Sequence, residues 1–271
     1  MTSPTFVVPL DGSAYSERAL PVATALAQRS GGRLLLVSVQ DHGPLRPAEY
    51  LDAIAGCLRA VPVDTVGISH TYPADAIVKV LGECDDRIAC MTSHGRGGLR
   101  WDMLGSVAEE IVRRAERPTL LVGRRCRDDW LARGTCVLAC VDGSESSARI
   151  APVASAWADR LGLDLHAAIV IHPLAGESAE RQEVLHDRIF EQFGGRDRVI
   201  ATTLTSRYPE DALADFANDP PAALVAMNCH GRTGLARFAL GSTTMGVLQL
   251  ASCPLLVSVA HSTGRFHRPL K

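Results

Sequence analysis

A chain of 271 residues that is 46% apolar and 21% charged has the make-up of an ordinary globular protein of one or two domains. Its formal net charge of −2 argues against a general binder of nucleic acid or of a membrane surface. Lys79 and Lys271 are the only lysines, so a P-loop phosphate lysine, a Schiff base and a Ser-Lys dyad are all disfavoured.

The N-terminal run Met1–Asp11 has no basic segment ahead of a long apolar one, unlike a signal peptide. No stretch reaches the roughly 18 apolar residues that span a bilayer. Thr5–Leu10 is expected as a buried strand, followed by the turn Asp11-Gly12-Ser13 and an alanine-rich helix over Ala14–Arg29. Pro21 within it either starts the helix late or kinks it. A second strand is expected over Arg33–Val39, a helix over Ala48–Ala60 and an alternating third strand over Val63–Ser69. A short helix over Ala74–Leu81 and a fourth strand over Arg87–Met91 come next. A glycine-rich stretch runs from Thr92 to Gly98, and after six further residues stands Gly105-Ser106. Ser106-Val-Ala-Glu109 has capping-box spacing at the start of a helix expected over Val107–Ala115, and Thr119–Val122 closes the series as a fifth strand.

The series then begins again. Phe6–Ser13 returns 131 residues later as Val137–Ser144, and Ser93-His-Gly-Arg-Gly-Gly-Leu99 returns 136 residues later as Cys229-His-Gly-Arg-Thr-Gly-Leu235. Gly105-Ser106 returns as Gly241-Ser242, and Pro118 as Pro254. The chain is a tandem duplication, and so long a period means two domains rather than a solenoid. Strands of the second copy are expected near 135–141, 163–171, 197–205, 222–227 and 255–259. The charged, turn-rich stretch Gly123–Gly134 is expected as a linker, which puts the domains at 1–126 and 132–271. Alternating strands and helices imply, in each copy, a parallel sheet covered on both faces, the doubly wound α/β arrangement. The short apolar fifth strands would be exposed edges, so the halves are expected to pair as an intrachain pseudo-dimer, with a homodimer left open. The eight cysteines hold no CxxC and no metal-ligand spacing, which fits reduced thiols in a cytoplasm and no metal site.

A doubly wound sheet binds ligands at the carboxyl ends of its strands, where strand order reverses. Asp11-Gly12-Ser13 and the Thr92–Gly98 stretch both fall there, as do Asp142-Gly143-Ser144 and Asn228–Gly234. Glycines allow close backbone approach, and the unpaired amides of a helix start favour a phosphate. His94 and His230 have no nucleophile or orienting carboxylate nearby in sequence, so no catalytic residue is assigned. Cys229 stands where the first copy has Ser93, which favours a small loop residue over a nucleophile.

At these residues the chain resembles the universal stress protein family in its tandem form. The family's ATP-binding pattern is Gly, two residues, Gly, nine residues, then Gly-Ser or Gly-Thr. Gly95, Gly105 and Ser106 match it, as do Gly231, Gly241 and Ser242, while Thr92 and Asn228 replace the first glycine. The resemblance implies two five-stranded Rossmann-like domains of strand order 3-2-1-4-5 that bind ATP, with or without Mg²⁺. It places Asp11 and Asp142 near the ribose or adenine, and Val39 and Val170 against the adenine. Gly95, Arg96, Gly98, Gly105 and Ser106 fall at the phosphates, with Gly231, Arg232, Gly234, Gly241 and Ser242 as their twins. The expected role is a cytoplasmic, nucleotide-dependent regulator of the stress response. A slow ATPase or phosphotransfer enzyme and a nucleotide-free interaction scaffold stand as the alternatives.

Overall fold

The computed structural model describes residues 3–40, 47–94, 103–173, 179–229 and 240–258. The chain divides into two compact units, one ending at Val122 and the next beginning at Gly123.

In the first unit the strands are β1 (Thr5–Pro9), β2 (Arg33–Gln40), β3 (Val63–Ser69), β4 (Arg87–Thr92) and β5 (Thr119–Val122), in the order β3-β2-β1-β4-β5. Every pairing among them is parallel. The helices are α1 (Ala14–Glu17), α2 (Ala19–Ser30), α3 (Pro47–Cys57), α4 (Pro73–Gly82) and α5 (Ser106–Arg114). The central strands read as near-continuous apolar runs because both of their faces are covered. Phe6, Leu34, Leu36 and Leu120 are fully buried, each such side chain stabilising the fold by about 1.5–3 kcal/mol. The outer strand β3 alternates between half-buried and exposed positions, as the period-2 pattern of Val63–Ser69 predicts.

The second unit opens with the short helix α6 (Trp130–Arg133), then repeats the plan with β6 (Cys136–Val141), α7 (Glu145–Ala148), α8 (Ala151–Leu161), β7 (Asp164–Ile171) and α9 (Ala179–Gln192). There follow β8 (Ile200–Thr205), α10 (Pro209–Asn218), β9 (Ala222–Asn228), α11 (Ser242–Leu250) and β10 (Leu255–Ser258). Its strand order is β8-β7-β6-β9-β10, again parallel throughout.

Two expectations are refined. The helix expected as one piece over 14–29 is a single turn, α1, followed by the longer α2, with Arg18 between them. Pro21 lies in the first turn of α2, and Pro152 in that of α8. There the missing N–H is one that no helix carbonyl would accept, whereas a continuous helix would drive each ring against the carbonyl four residues earlier. The stretch 123–134 is more than a tether: Trp130 is 3% exposed, and the Arg127 amide donates to Ser252 O at 2.9 Å within the second unit. Its large indole gains more from burial than a solvated linker could offer.

Six cysteines are buried and two, Cys57 and Cys84, are exposed. Burial pushes the Cys140 thiol up to about 12 and moves Cys253 upward as well. An unfolded thiol ionises near pH 8.5, so above that pH the unfolded state sheds protons that the folded state keeps. Stability therefore falls as pH climbs from about 8.5 towards 12, by on the order of 1 kcal/mol per thiol by pH 10. Urea midpoints taken at pH 7, 8.5 and 10 are expected to drop across the last interval, and Cys140→Ala to flatten that drop.

Helices α10 and α11 meet where only hydrogen fits: a Cβ on Gly246 would lie 2.4 Å from Glu210 Cβ. Gly246→Ala gains about 1 kcal/mol of helix propensity, but overpacking costs about 1–3 kcal/mol. A net loss is expected, read as a lower urea midpoint with an unchanged slope. Gly82→Ala, which meets open space, leaves the midpoint within about 0.5 kcal/mol.

Candidate functional site

All strands of a parallel sheet end at one edge. The order of each sheet reverses between its first and fourth strands, β1 and β4 or β6 and β9, and at that edge the loops part to leave a crevice.

After β1 the chain turns through Asp11-Gly12-Ser13. Gly12 has φ +78°, a left-handed conformation that side chains disfavour. Asp11 Oδ1 accepts from the Ser13 amide at 2.9 Å and from the Ser13 hydroxyl at 2.5 Å. Ser13 Oγ then caps α1 by accepting from the Ser16 amide at 3.2 Å. Ser16 closes the loop: its hydroxyl accepts from the Asp11 amide at 3.3 Å and donates to Ser13 O at 2.9 Å. The second unit repeats this at Asp142, Gly143 (φ +79°), Ser144 and Ser147, with the Ser144 amide 2.9 Å from Asp142 Oδ1. The closing serines Ser16 and Ser147 escaped the sequence reading, although Asp-Gly-Ser-x-x-Ser stands in both copies.

Tyr50 of α3 adds a charged neighbour to the first crevice. Its hydroxyl donates to Glu17 Oε1 at 2.9 Å. Burial first, then the Glu17 carboxylate and the charge of Asp11, push its ionisation well above the usual tyrosine range. The ring thus stays neutral and positions Glu17 beside the turn.

On the other side of the crevice the strand-four loops are tied down by backbone bonds. The Ser93 amide donates to Val122 O at 3.2 Å and the Gly105 amide to Ser93 O at 2.8 Å. The Cys229 amide donates to Ser258 O at 2.8 Å and the Gly241 amide to Cys229 O at 2.9 Å. These bonds bring the helix starts back to the strand ends. Cys229 is buried and acts here through its backbone, which supports the small-loop-residue reading over a nucleophile. His94 Nδ1 lies 3.0 Å from Ser93 Oγ.

Gly105 and Gly241 are the N-caps of α5 and α11, and neither helix has a side-chain cap. Ser106 is the first helical residue rather than the cap, so the capping box expected from its spacing to Glu109 does not form. Among the described residues no cap side chain serves the first-turn amides of either helix at the crevice edge, the arrangement that suits an anion. Ser106 and Ser242 are exposed beside them. The two glycines have φ −61° and −66°, which any residue adopts. At Gly241 space is tight instead: a Cβ there would lie 3.3 Å from Cys229 O. A side-chain-free cap with an exposed serine at each helix start fits a phosphate group.

Val39 and Val170 are half-buried near the ends of β2 and β7, on the same edge as Asp11 and Asp142. Gly95, Arg96, Gly98, Gly231, Arg232, Gly234 and His230 lie outside the described residues. Among the described residues no group of histidines, cysteines and carboxylates could hold a metal ion, and no helix is long and apolar enough to cross a membrane.

The residues at which the first motif glycine is replaced behave differently. Thr92 Oγ1 donates to His94 O at 2.6 Å, inside its own loop. Asn228 Nδ2 instead donates to Ser146 O at 2.7 Å and to Ser146 Oγ at 3.0 Å, on the far side of the crevice. Its Oδ1 is buried without a partner, a situation that costs about 1–3 kcal/mol.

The profile of the universal stress protein family matches residues 53–123 and 136–258. A universal stress protein of Thermus aquaticus is 34% identical over 134 residues, covering 44% of this chain and 97% of that protein. One of Mycobacterium tuberculosis strain H37Rv is 29% identical over 200 residues, covering 69% of this chain and 65% of that longer protein. Among solved structures, a universal stress protein from Archaeoglobus fulgidus superposes with a TM-score of 0.72 at 19% identity, covering 96% of this chain and all of that one. A second, from Pseudomonas aeruginosa, gives 0.65 at 18% identity, covering 95% and 94%. At these identities the superpositions speak for the fold.

The cap is the testable part of this geometry. Ser13→Ala removes the side-chain oxygen that accepts from the Ser16 amide and is expected to cost about 1 kcal/mol. Urea unfolding reads the loss, and Ser13→Thr, which keeps both the acceptor for that amide and the hydroxyl that donates to Asp11, restores most of it.

Proposed function

We propose that this chain, which belongs to the universal stress protein family, is an ATP-binding regulator of the stress response in the cytoplasm, signalling by its loaded state rather than by turnover. One observation carries the reading: in each unit a side-chain-locked Asp-Gly-Ser turn and an uncapped, glycine-led helix start converge on the crevice where strand order reverses.

In this reading the amides at the start of α5 or α11, with the Ser106 or Ser242 hydroxyl, hold the phosphates. Val39 or Val170 lies against the base, and the Asp11 or Asp142 turn lies at the ribose. The remaining residues of the motif, Gly95, Arg96 and Gly98 with Gly231, Arg232 and Gly234, enter from the resemblance alone. Each helix start favours a phosphate by about 0.3–1 kcal/mol per charge at an exposed site, so several weak contacts must add up where no lysine helps. The chemistry weighs against rapid hydrolysis. Asp11 Oδ1 is committed to its own turn and the ring of His94 is engaged by Ser93, so neither is poised as a base for an attacking water.

The combined variant Gly105→Glu, Gly241→Glu is expected to fold and to lose ATP binding, because a carboxylate at each helix start competes for the same amides and repels the polyphosphate. Calorimetric titration with ATP gives the readout, with circular dichroism to verify folding. Undiminished binding by the folded double variant overturns the phosphate assignment, and steady phosphate release faster than about 1 s⁻¹ replaces the regulator with an enzyme. Because ligand binding to the native state adds stability, ATP at a hundred times its Kd is expected to stabilise the parent chain by about 2.7 kcal/mol per site.

A further inference from the structure

We infer that Asn228 latches the crevice of the second unit shut, so that the chain carries its nucleotide in the first unit only. The inference rests on the nucleotide reading above and names which of the two sites is used.

Strands β6 and β9 are neighbours, with Cys140 opposite Met227, and the loops that follow them must stay apart for a ligand to sit between them. Asn228, the last residue of β9, spans that gap. Its side-chain nitrogen reaches both Ser146 O, at 2.7 Å, and Ser146 Oγ, at 3.0 Å, on α7. The two residues are 82 positions apart in sequence, so this is a tertiary tie rather than a local turn. The side chain is 6% exposed, and its Oδ1 finds no partner. A carboxamide that could be fully hydrated in an open crevice is instead held with a bare acceptor. A shorter side chain at this position would release the tie.

Among the described residues, the first unit shows no counterpart of this tie. Thr92 occupies the equivalent place, and its hydroxyl is spent on His94 O within its own loop. The residue aligned with Ser146 is Tyr15, which is 40% exposed at the rim. The first turn of α5 carries Glu109 and that of α11 carries no carboxylate, so charge alone favours the second unit and the tie works against that preference.

The test is a titration of the full-length chain with ATP, read as stoichiometry. One ATP per chain is expected for the parent protein, two for Asn228→Thr, which installs the residue of the first unit, and none for Gly105→Glu. Two equivalent sites in the parent chain, or a retained site in Gly105→Glu, overturn the latch while leaving the nucleotide reading in place. The Gly105→Glu result does not depend on the folding of any latch variant, and Asn228→Ala provides a second way to open the crevice. A folded Asn228→Thr or Asn228→Ala chain that still binds one ATP also overturns the inference. If neither the parent nor the opened chain binds ATP, the nucleotide reading fails and the latch fails with it.

Discussion

Right-handed crossovers carry the chain outward from the first strand of each sheet in one direction and from the fourth strand in the other. Between β1 and β4, and again between β6 and β9, the covering segments therefore diverge, and backbone groups at the strand ends need partners from somewhere else. Most of what is distinctive in this protein is an answer to that demand. The Asp-Gly-Ser turns, the closing serines and the backbone ties from Gly105 and Gly241 all sit at that divergence.

The answers differ on the two sides of the crevice. After the first strand, side chains satisfy the backbone: an aspartate and two serines fix the turn and cap a one-turn helix, leaving little for a ligand to disturb. After the fourth strand, glycine stands at the cap and contributes no side chain, so the first-turn amides of a nine-residue helix stay available. A turn locked by side chains faces a helix start that offers backbone amides, the contrast on which the proposed phosphate site rests. The backbone of Gly241 can come so near Cys229 O because no Cβ intervenes.

A duplicated chain is its own control, since the same fold is built twice from different side chains. The closing serine, the cap and the left-handed glycine are retained in both copies, which ties them to geometry both units need. At one contact across the crevice the copies part: Thr92 turns inward to its own loop, while Asn228 reaches over to Ser146. The difference is one of reach. A carboxamide is long enough to bridge the strand-end loops and has two hydrogens to spend there, whereas a threonine hydroxyl is short and returns to the nearest carbonyl.

Much of this was legible before any coordinates. The duplication, the alternation of strands and helices, the parallel sheets and the edge at which both motifs fall follow from short-range patterns, while the strand order came with the family resemblance. Apolar runs, Asp-Gly turns and glycine pairs are local signals that the backbone obeys locally. Other features depended on what packs against what. The place of Pro21 in a late helix start was one of two local solutions, and the carbonyl of Glu17 decided between them. Gly123–Gly134 reads as a linker by composition, yet Trp130 joins the second core because α6 packs against β9 and buries its ring. Gly105 and Gly241 resemble turn glycines, but their φ values are ordinary, and at Gly241 the constraint is a carbonyl 3.3 Å from where a Cβ would stand. The tie from Asn228 to Ser146 has no local signal at all beyond an asparagine where a glycine was expected. Hydrogen bonds between residues so far apart exist only once register and helix position are set, and those are properties of the folded sheet rather than of any segment of the chain.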